Sequence, residues 1–286
     1  MRNFRAALSS PPSMESIAGS PLLGQTFAGL RARHQSGLVA FIPAGYPDLQ
    51  TTAACILALQ AGGASVIEIG IPFSDPIADG PIIQEAFAAA LAHKVKVSDV
   101  FKTVGSLRGQ LTIPLVAMLS YSIVFRYGLQ AFLSDAKAAG FSGLIIPDLP
   151  PPEAQAVCTK IWAAGLDTIL LIAPTTALER RKQIADLCTG FVYYLSVSGI
   201  TGERDQLPPN LATNIAELRA LTDRPICVGF GIHKRQHLTQ LAGLAEGAIV
   251  GSAYVRRMKE HLNDGPDRIS QILRQYTSEL VGRPGA

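Results

Sequence analysis

The sequence predicts an α/β fold whose parallel strands close into an eight-membered (β/α)8 barrel, on three observations. Eight short apolar runs are spread along the 286 residues. They are apolar throughout, without in/out alternation, as strands buried on both faces are. Helical segments separate them, and four of those helices end in the same Ala-Gly pair, at Ala61-Gly62, Ala139-Gly140, Ala164-Gly165 and Ala242-Gly243. Glycine takes the left-handed conformation without steric cost, so it ends helices well. Eight such units in roughly 250 residues fit the size of a TIM barrel. An open doubly wound sheet is the alternative. It is disfavoured because no Gly-x-Gly-x-x-Gly follows the first strand.

Residues 1–22 differ from the rest of the chain. Ser and Pro are frequent, two arginines come early, and no acid precedes Glu15. The stretch reads as a disordered extension, with a transit peptide as the alternative; it lacks the long apolar segment of a secretory signal. Residues 23–286 are then one barrel domain, opening with a short amphipathic helix over 26–35. The first strand is 38–44, ended by Gly45 and Pro47. Asp48 caps the next helix, Leu49, Ala53, Ile56, Leu57 and Gln60 trace its face, and Gly62 fits its C-terminus. The further strands are 66–69, 114–119, 144–147, 168–173, 191–197, 225–228 and 248–250. Helices over 152–164, with prolines at the start, and 210–221 are examples of the segments between them.

Composition narrows the function. The chain is 48% hydrophobic and 16% charged, with a net charge of +3. That charge is too small to imply nucleic acid, and no basic block is interleaved with aromatics. No apolar run is long enough to span a membrane. Cys55, Cys158, Cys188 and Cys227 are widely spaced with no Cys-x-x-Cys, which argues against a zinc site and a disulfide framework and for a reducing compartment. Each reads as a small core residue. The five histidines show no metal spacing and read as surface or helix-start residues.

The chemistry collects after the strands. In a barrel of this kind, active residues lie at the C-terminal strand ends and on the loops after them. Glu68 sits in the last part of the second strand, where a carboxylate is costly without a task or a partner. The Gly/Pro-rich loop after it carries Asp75 and Asp79. Asp75, in Ser-Asp-Pro, reads as a turn former. Asp79, in Ala-Asp-Gly-Pro, is either a site residue or a turn or cap residue. Asp148 after the fourth strand is equally open, and Tyr193 and Tyr194 lie in the sixth strand. Gly229-Phe230-Gly231 follows the seventh strand and Gly251-Ser252 the eighth. Loops at these two places commonly bind phosphate through backbone N–H groups, so together they point to a phosphorylated substrate. The long 196–209 loop is either a lid or a mobile surface loop.

These motifs resemble one family. Glu-Ile-Gly-Ile-Pro-Phe-Ser-Asp-Pro-Ile-Ala-Asp-Gly-Pro (68–81) is similar to the signature of the tryptophan synthase alpha subunit. The resemblance runs from about Phe27 to the last helix. It includes Phe-Ile-Pro-Ala-Gly-Tyr-Pro (41–47), Pro-Asp-Leu-Pro (147–150), Ser-Gly-Ile-Thr-Gly (198–202), Gly-Phe-Gly-Ile (229–232) and Gly-Ser-Ala (251–253). It implies retro-aldol cleavage of indole-3-glycerol phosphate, with no metal or organic cofactor. It implies Glu68 as the proton-transferring residue, Asp79 as the carboxylate on the indole N–H, and Tyr193 beside the glutamate. Phe41, Met118, Ile145 and Ile172 match the positions around the indole ring. Thr201, Gly202, Gly229, Phe230, Gly231, Gly251 and Ser252 match phosphate and loop-closure positions. A beta subunit in a cytoplasmic alpha2beta2 heterotetramer is the implied partner; nucleic acid and membrane are not.

The chain departs from that pattern in places. Ser120 stands where the family often has a tyrosine, Ala89 where an arginine is common, and Lys94 where a glycine is common. Phe87 adds bulk nearby, on a surface expected to meet the partner. The competing readings are a stand-alone indole-3-glycerol phosphate lyase and a non-catalytic barrel that binds a partner. Intact Glu68 and Asp79 speak against the latter.

Overall fold

Eight parallel strands close in sequence order, β1 through β8, into a barrel. The computed structural model describes residues 20–76, 79–196, 206–229 and 231–283. In chain order the elements are α1 (Pro21–Ala32), β1 (Gly37–Pro43), α2 (Leu49–Gly62), β2 (Val66–Gly70), α3 (Pro81–Ala92), α4 (Val97–Ser106), β3 (Leu115–Met118), α5 (Tyr121–Tyr127), α6 (Leu129–Ala139) and β4 (Gly143–Ile145). They continue with α7 (Pro151–Ala163), β5 (Asp167–Ile172), α8 (Leu178–Leu187), β6 (Val192–Leu195), α9 (Leu211–Arg219), β7 (Ile226–Gly229), α10 (Arg235–Leu241), β8 (Gly247–Val250), α11 (Ser252–Glu260) and α12 (Gly265–Val281). All eight expected strands are present in the expected order, and the open-sheet alternative is excluded.

Two apolar shells hold the barrel. The inner one takes one residue from, or next to, every strand: Val39, Val66, Val116, Ile145, Ile169, Phe191, Cys227 and Ile249. The outer one lies between sheet and helices. Parallel strands covered on both faces need both shells, which is why the runs read as continuously apolar. Helix α1 closes the N-terminal end of the barrel. Its Leu23, Phe27 and Leu30, spaced four and three apart, join the inner shell, and Phe27 meets Phe191 edge-on at 5.6 Å between ring centres. The helix starts and stops a few residues before the expected 26–35, because Pro21 opens it and the Ser20 N–H is held by the buried Asp167 carboxylate at 2.9 Å. The extension expected over 1–22 lies outside the described residues as far as position 19. At the same end Glu246 accepts hydrogen bonds from Arg31, Arg219 and the Ile226 N–H, tying α1 to α9 and β7.

Helix ends follow the sequence signals with one shift. Asp48 caps α2 by accepting from the Thr51 N–H at 2.6 Å, but the left-handed residue after that helix is Gly63, at φ 99°, and Gly62 is still helical. Gly140 ends α6 in the left-handed region as expected. Helix α3 ends differently, with Lys94 at φ 58°, the position where the family pattern has glycine. A side chain in this region costs roughly 1–2 kcal/mol. Lys94→Gly is therefore expected to stabilise the fold by about 1 kcal/mol after the loss of unfolded-state restriction is counted. A melting temperature raised by a few degrees checks this, and a lowered one would show that the lysine packs usefully.

Phe87 is not on the surface. Ile83, Ala86, Phe87 and Ala90 form the buried face of α3, and the Phe87 ring meets Phe41 edge-on at 6.4 Å. It therefore shapes the barrel mouth rather than a partner-facing patch. His237 is likewise buried, though it lies near the start of α10. All four cysteines are buried free thiols. Burial pushes Cys55, Cys158 and Cys188 up to about 12, which keeps them inert.

Candidate active site

The mouth of the barrel is built by alternation along each strand. In β2 the side chain of Val66 points to the interior, and so does the side chain two residues on, Glu68. In register beside it stand Phe41 of β1 and Val116 of β3. Glu68 is 1% exposed, and its Oε2 has no hydrogen-bond partner among the described residues. Removal from water raises the carboxyl to about 8, with the charge of Asp79 as the second cause. The group is thus predominantly protonated at neutral pH.

Asp79 sits just before α3 and is half-buried. Gln84 of α3 reaches back and donates to the carbonyls of Asp79 at 2.8 Å and Pro76 at 3.4 Å, lacing the loop to the helix. Burial raises the Asp79 carboxyl to about 6. The loop is dry enough to raise this acid, yet less so than the strand end that holds Glu68. Near pH 7 Asp79 is mostly charged and Glu68 mostly neutral. Tyr193 completes the group. Its phenol is pushed well above its ordinary value by burial first, then by Glu68 and Asp79. Three titratable groups from β2, the loop after it and β6 therefore feel one another in one apolar recess.

A cleft of about 310 Å³ opens beside them, lined by Ile71, Phe73, Phe87, Met118, Leu119 and Pro147 with the carboxylates Asp75, Asp79 and Asp148. Its walls are predominantly apolar with a few polar groups, as suits a flat aromatic ligand carrying one N–H. Met118, Leu171 and Tyr193 rest on the inner shell that includes Ile145. Ile172 does not join them. It shares the face of Thr168, whose hydroxyl donates to the Leu187 carbonyl and accepts from Trp162 on the helix side. Period-two alternation thus gives the interior position to Leu171. The same rule separates the paired tyrosines, Tyr193 inward and Tyr194 buried in the outer shell. Of the residues that sequence reasoning missed, Phe87 was signalled by the three- and four-residue spacing of α3, whereas Leu171, in a continuously apolar strand, and Phe73, on the loop after β2, carried no such signal.

Asp75 is exposed and accepts a hydrogen bond from the Ser74 hydroxyl at 2.5 Å, a loop-shaping role. Asp148 joins two loops. It accepts from the Ser120 hydroxyl at 2.6 Å and from the Tyr121 N–H at 2.7 Å. Ser120 is thus committed to the wall and leaves the cleft open.

The glycine turns lie across the mouth. At Gly229 an added Cβ would stand 3.2 Å from the Tyr193 ring and hydroxyl, so this glycine makes room for the tyrosine. Gly231 has φ 87° and needs glycine for its backbone. Gly251 is different. Its φ is −118°, and an added Cβ would meet nothing closer than 3.5 Å. Packing does not require glycine there, so the position leaves the backbone open to close approach. It precedes Ser252, the buried first residue of α11, where free N–H groups and the helix dipole favour an anion. Thr201, Gly202 and Phe230, together with most of the expected lid, lie outside the described residues. No cluster of metal ligands occurs among the described residues.

Comparisons with known proteins point to one family. The family model for the tryptophan synthase alpha chain matches residues 27–280. The tryptophan synthase alpha chain of Gloeobacter violaceus is 43% identical over 244 residues, covering 85% of this chain and 88% of its own. That of Microcystis aeruginosa is 40% identical over 258 residues, covering 90% and 98%. Among solved structures, Mycobacterium tuberculosis tryptophan synthase superposes with a TM-score of 0.82 at 38% identity, covering 93% of this chain and 98% of that one. A variant alpha-subunit from Pyrococcus furiosus gives 0.79 at 36%, covering 87% and 98%.

Proposed function

The chain belongs to the tryptophan synthase alpha chain family, and from that premise we propose how its side chains divide the work. The reaction is the retro-aldol cleavage of indole-3-glycerol phosphate to indole and glyceraldehyde 3-phosphate, a carbon–carbon lyase step of L-tryptophan biosynthesis. The observation that carries the assignment is the buried carboxyl of Glu68, whose Oε2 has no partner among the described residues, held neutral beside a carboxyl that ionises at lower pH.

Protonated Glu68 delivers its proton to C3 of the indole ring. Positive charge then spreads to the ring nitrogen, and Asp79 accepts a hydrogen bond from that N–H and stabilises the charge. The Glu68 carboxylate so formed takes the proton of the glycerol hydroxyl next to the ring. The hydroxyl oxygen becomes the aldehyde oxygen, and the electrons of the breaking carbon–carbon bond return to the ring as indole leaves. One residue gives and regains one proton, so the cycle closes without a cofactor. Tyr193 keeps the recess dry and positions Glu68. Phe41, Met118, Leu171 and Ile145 support the ring, and the turns around Gly231 and Gly251 hold the phosphate.

The working pair requires Asp79 charged and Glu68 neutral. kcat/KM should therefore rise with pH through about 6, where Asp79 loses its proton, and fall through about 8, where Glu68 does. Because the two acids interact, the limbs belong to the pair. Glyceraldehyde 3-phosphate release from indole-3-glycerol phosphate, measured from pH 5 to 9, is the test. A rate still climbing between pH 8 and 9 would contradict a neutral Glu68.

The partner reading is an alpha2beta2 assembly with a beta subunit that consumes indole, in the cytoplasm. No described helix is long and apolar enough to cross a membrane. Repeating the assay with a beta subunit separates this from a stand-alone lyase, since only the former responds with a large rise in turnover.

A further inference from the structure

The loop after β7 is held from outside the barrel by a chain of hydrogen bonds that the catalytic scheme does not use. It begins on α12. The Tyr276 hydroxyl donates to the His233 carbonyl at 2.9 Å. The Tyr276 ring is fixed in turn, with the Arg257 guanidinium 3.4 Å from its centre and the Tyr254 ring edge-on at 5.1 Å. His233 passes the constraint on in two ways. Its Nδ1 donates to the Gly231 carbonyl at 3.0 Å, and its backbone N–H donates to Nδ1 of the buried His237 at 3.4 Å. The two imidazoles also pack edge to face at 5.1 Å.

A trans peptide points its carbonyl and the next N–H in opposite directions. Holding the Gly231 and His233 carbonyls therefore sets where the Ile232 and Lys234 N–H groups face. Gly231, at φ 87°, is otherwise the most permissive residue of the turn. We propose that Tyr276, acting through His233, is a positioning residue that fixes the β7 loop in its phosphate-binding shape. This deepens the reading above and rests on it, since that reading puts the phosphate on the β7 and β8 loops. Tyr276 touches no substrate atom, so its effect falls on how tightly the phosphate is held and not on the carbon–carbon cleavage.

Tyr276→Phe tests the idea, because it keeps the ring and its packing and removes only the hydroxyl. KM for indole-3-glycerol phosphate and the inhibition constant of inorganic phosphate are expected to rise together by about three- to tenfold, the effect of one lost hydrogen bond. kcat should stay within about twofold and the melting temperature within a few degrees. His233→Ala, at a half-buried position, should give the same split by freeing the Gly231 carbonyl. A fall in melting temperature and kcat with KM unchanged, or no change at all in both variants, would overturn the proposal. Gly251→Ala run alongside separates the two levels, because its methyl group fits the protein but stands where an anion would approach the backbone. If it weakens phosphate inhibition while Tyr276→Phe does not, the bracing fails and the site stands. If Gly251→Ala also leaves inhibition untouched, the phosphate is not held on these loops and both fail.

Discussion

Glu68→Gln is expected to lower kcat for indole-3-glycerol phosphate cleavage by about 10³-fold or more, near the upper range for losing a general acid–base group. Glutamine fills the same volume but can neither give the proton to C3 nor take the one from the glycerol hydroxyl. KM should change little, because the bound substrate gains little from that proton before the transition state. Stability should move the other way. In the folded chain this carboxyl titrates at about 8, against an ordinary value of 4.5. Between those values the folded state holds a proton that the unfolded state has lost, so wild-type stability falls as pH rises through that window and stays low above it. The variant has no such dependence. Its melting temperature should match wild type near pH 5 and exceed it near pH 8.5. An active variant would show that Glu68 is not the acid, and one less stable at alkaline pH would show that it is not a costly buried group.

Asp79→Asn should lower kcat by about 10²-fold, a loss typical for one group that stabilises transition-state charge. The amide can still accept from the indole N–H, so affinity should change less than turnover. The pH profile gives a second readout. The charge of Asp79 is part of what raises Glu68, and removing it should bring the alkaline limb to lower pH while abolishing the acid limb. A defect confined to KM, with both limbs in place, would assign Asp79 to binding alone.

The barrel was legible because its two shells leave few places for a polar residue. Strands packed on both faces must be apolar throughout, so Glu68 stood out against β2, and the ends of the helices were marked by Gly140 and its counterparts. The parts that were not legible share a cause. A continuously apolar strand shows no alternation, so nothing in 168–173 says which of Leu171 and Ile172 faces the interior; the helix-side hydrogen bonds of Thr168 decide it. Phe87 reads as a surface residue when its neighbourhood is judged by departures from the family pattern, although Ile83, Ala86 and Ala90 already mark the buried face. The brace on His233 was invisible because a backbone carbonyl leaves no trace in composition, and Tyr276 is distant from it in the chain.

Helix α1 makes the barrel a vessel with a stopper. Its Leu23, Phe27 and Leu30 fill the end opposite Glu68, and Asp167 fastens the start of that helix. One molecule enters and two leave, all on the side of the barrel away from that stopper. A fragment that lingers therefore blocks the next arrival, and traffic through the mouth becomes part of the turnover. Whatever rests on that rim, whether a loop or a second subunit, controls the timing of every exchange between the reacting centre and the outside.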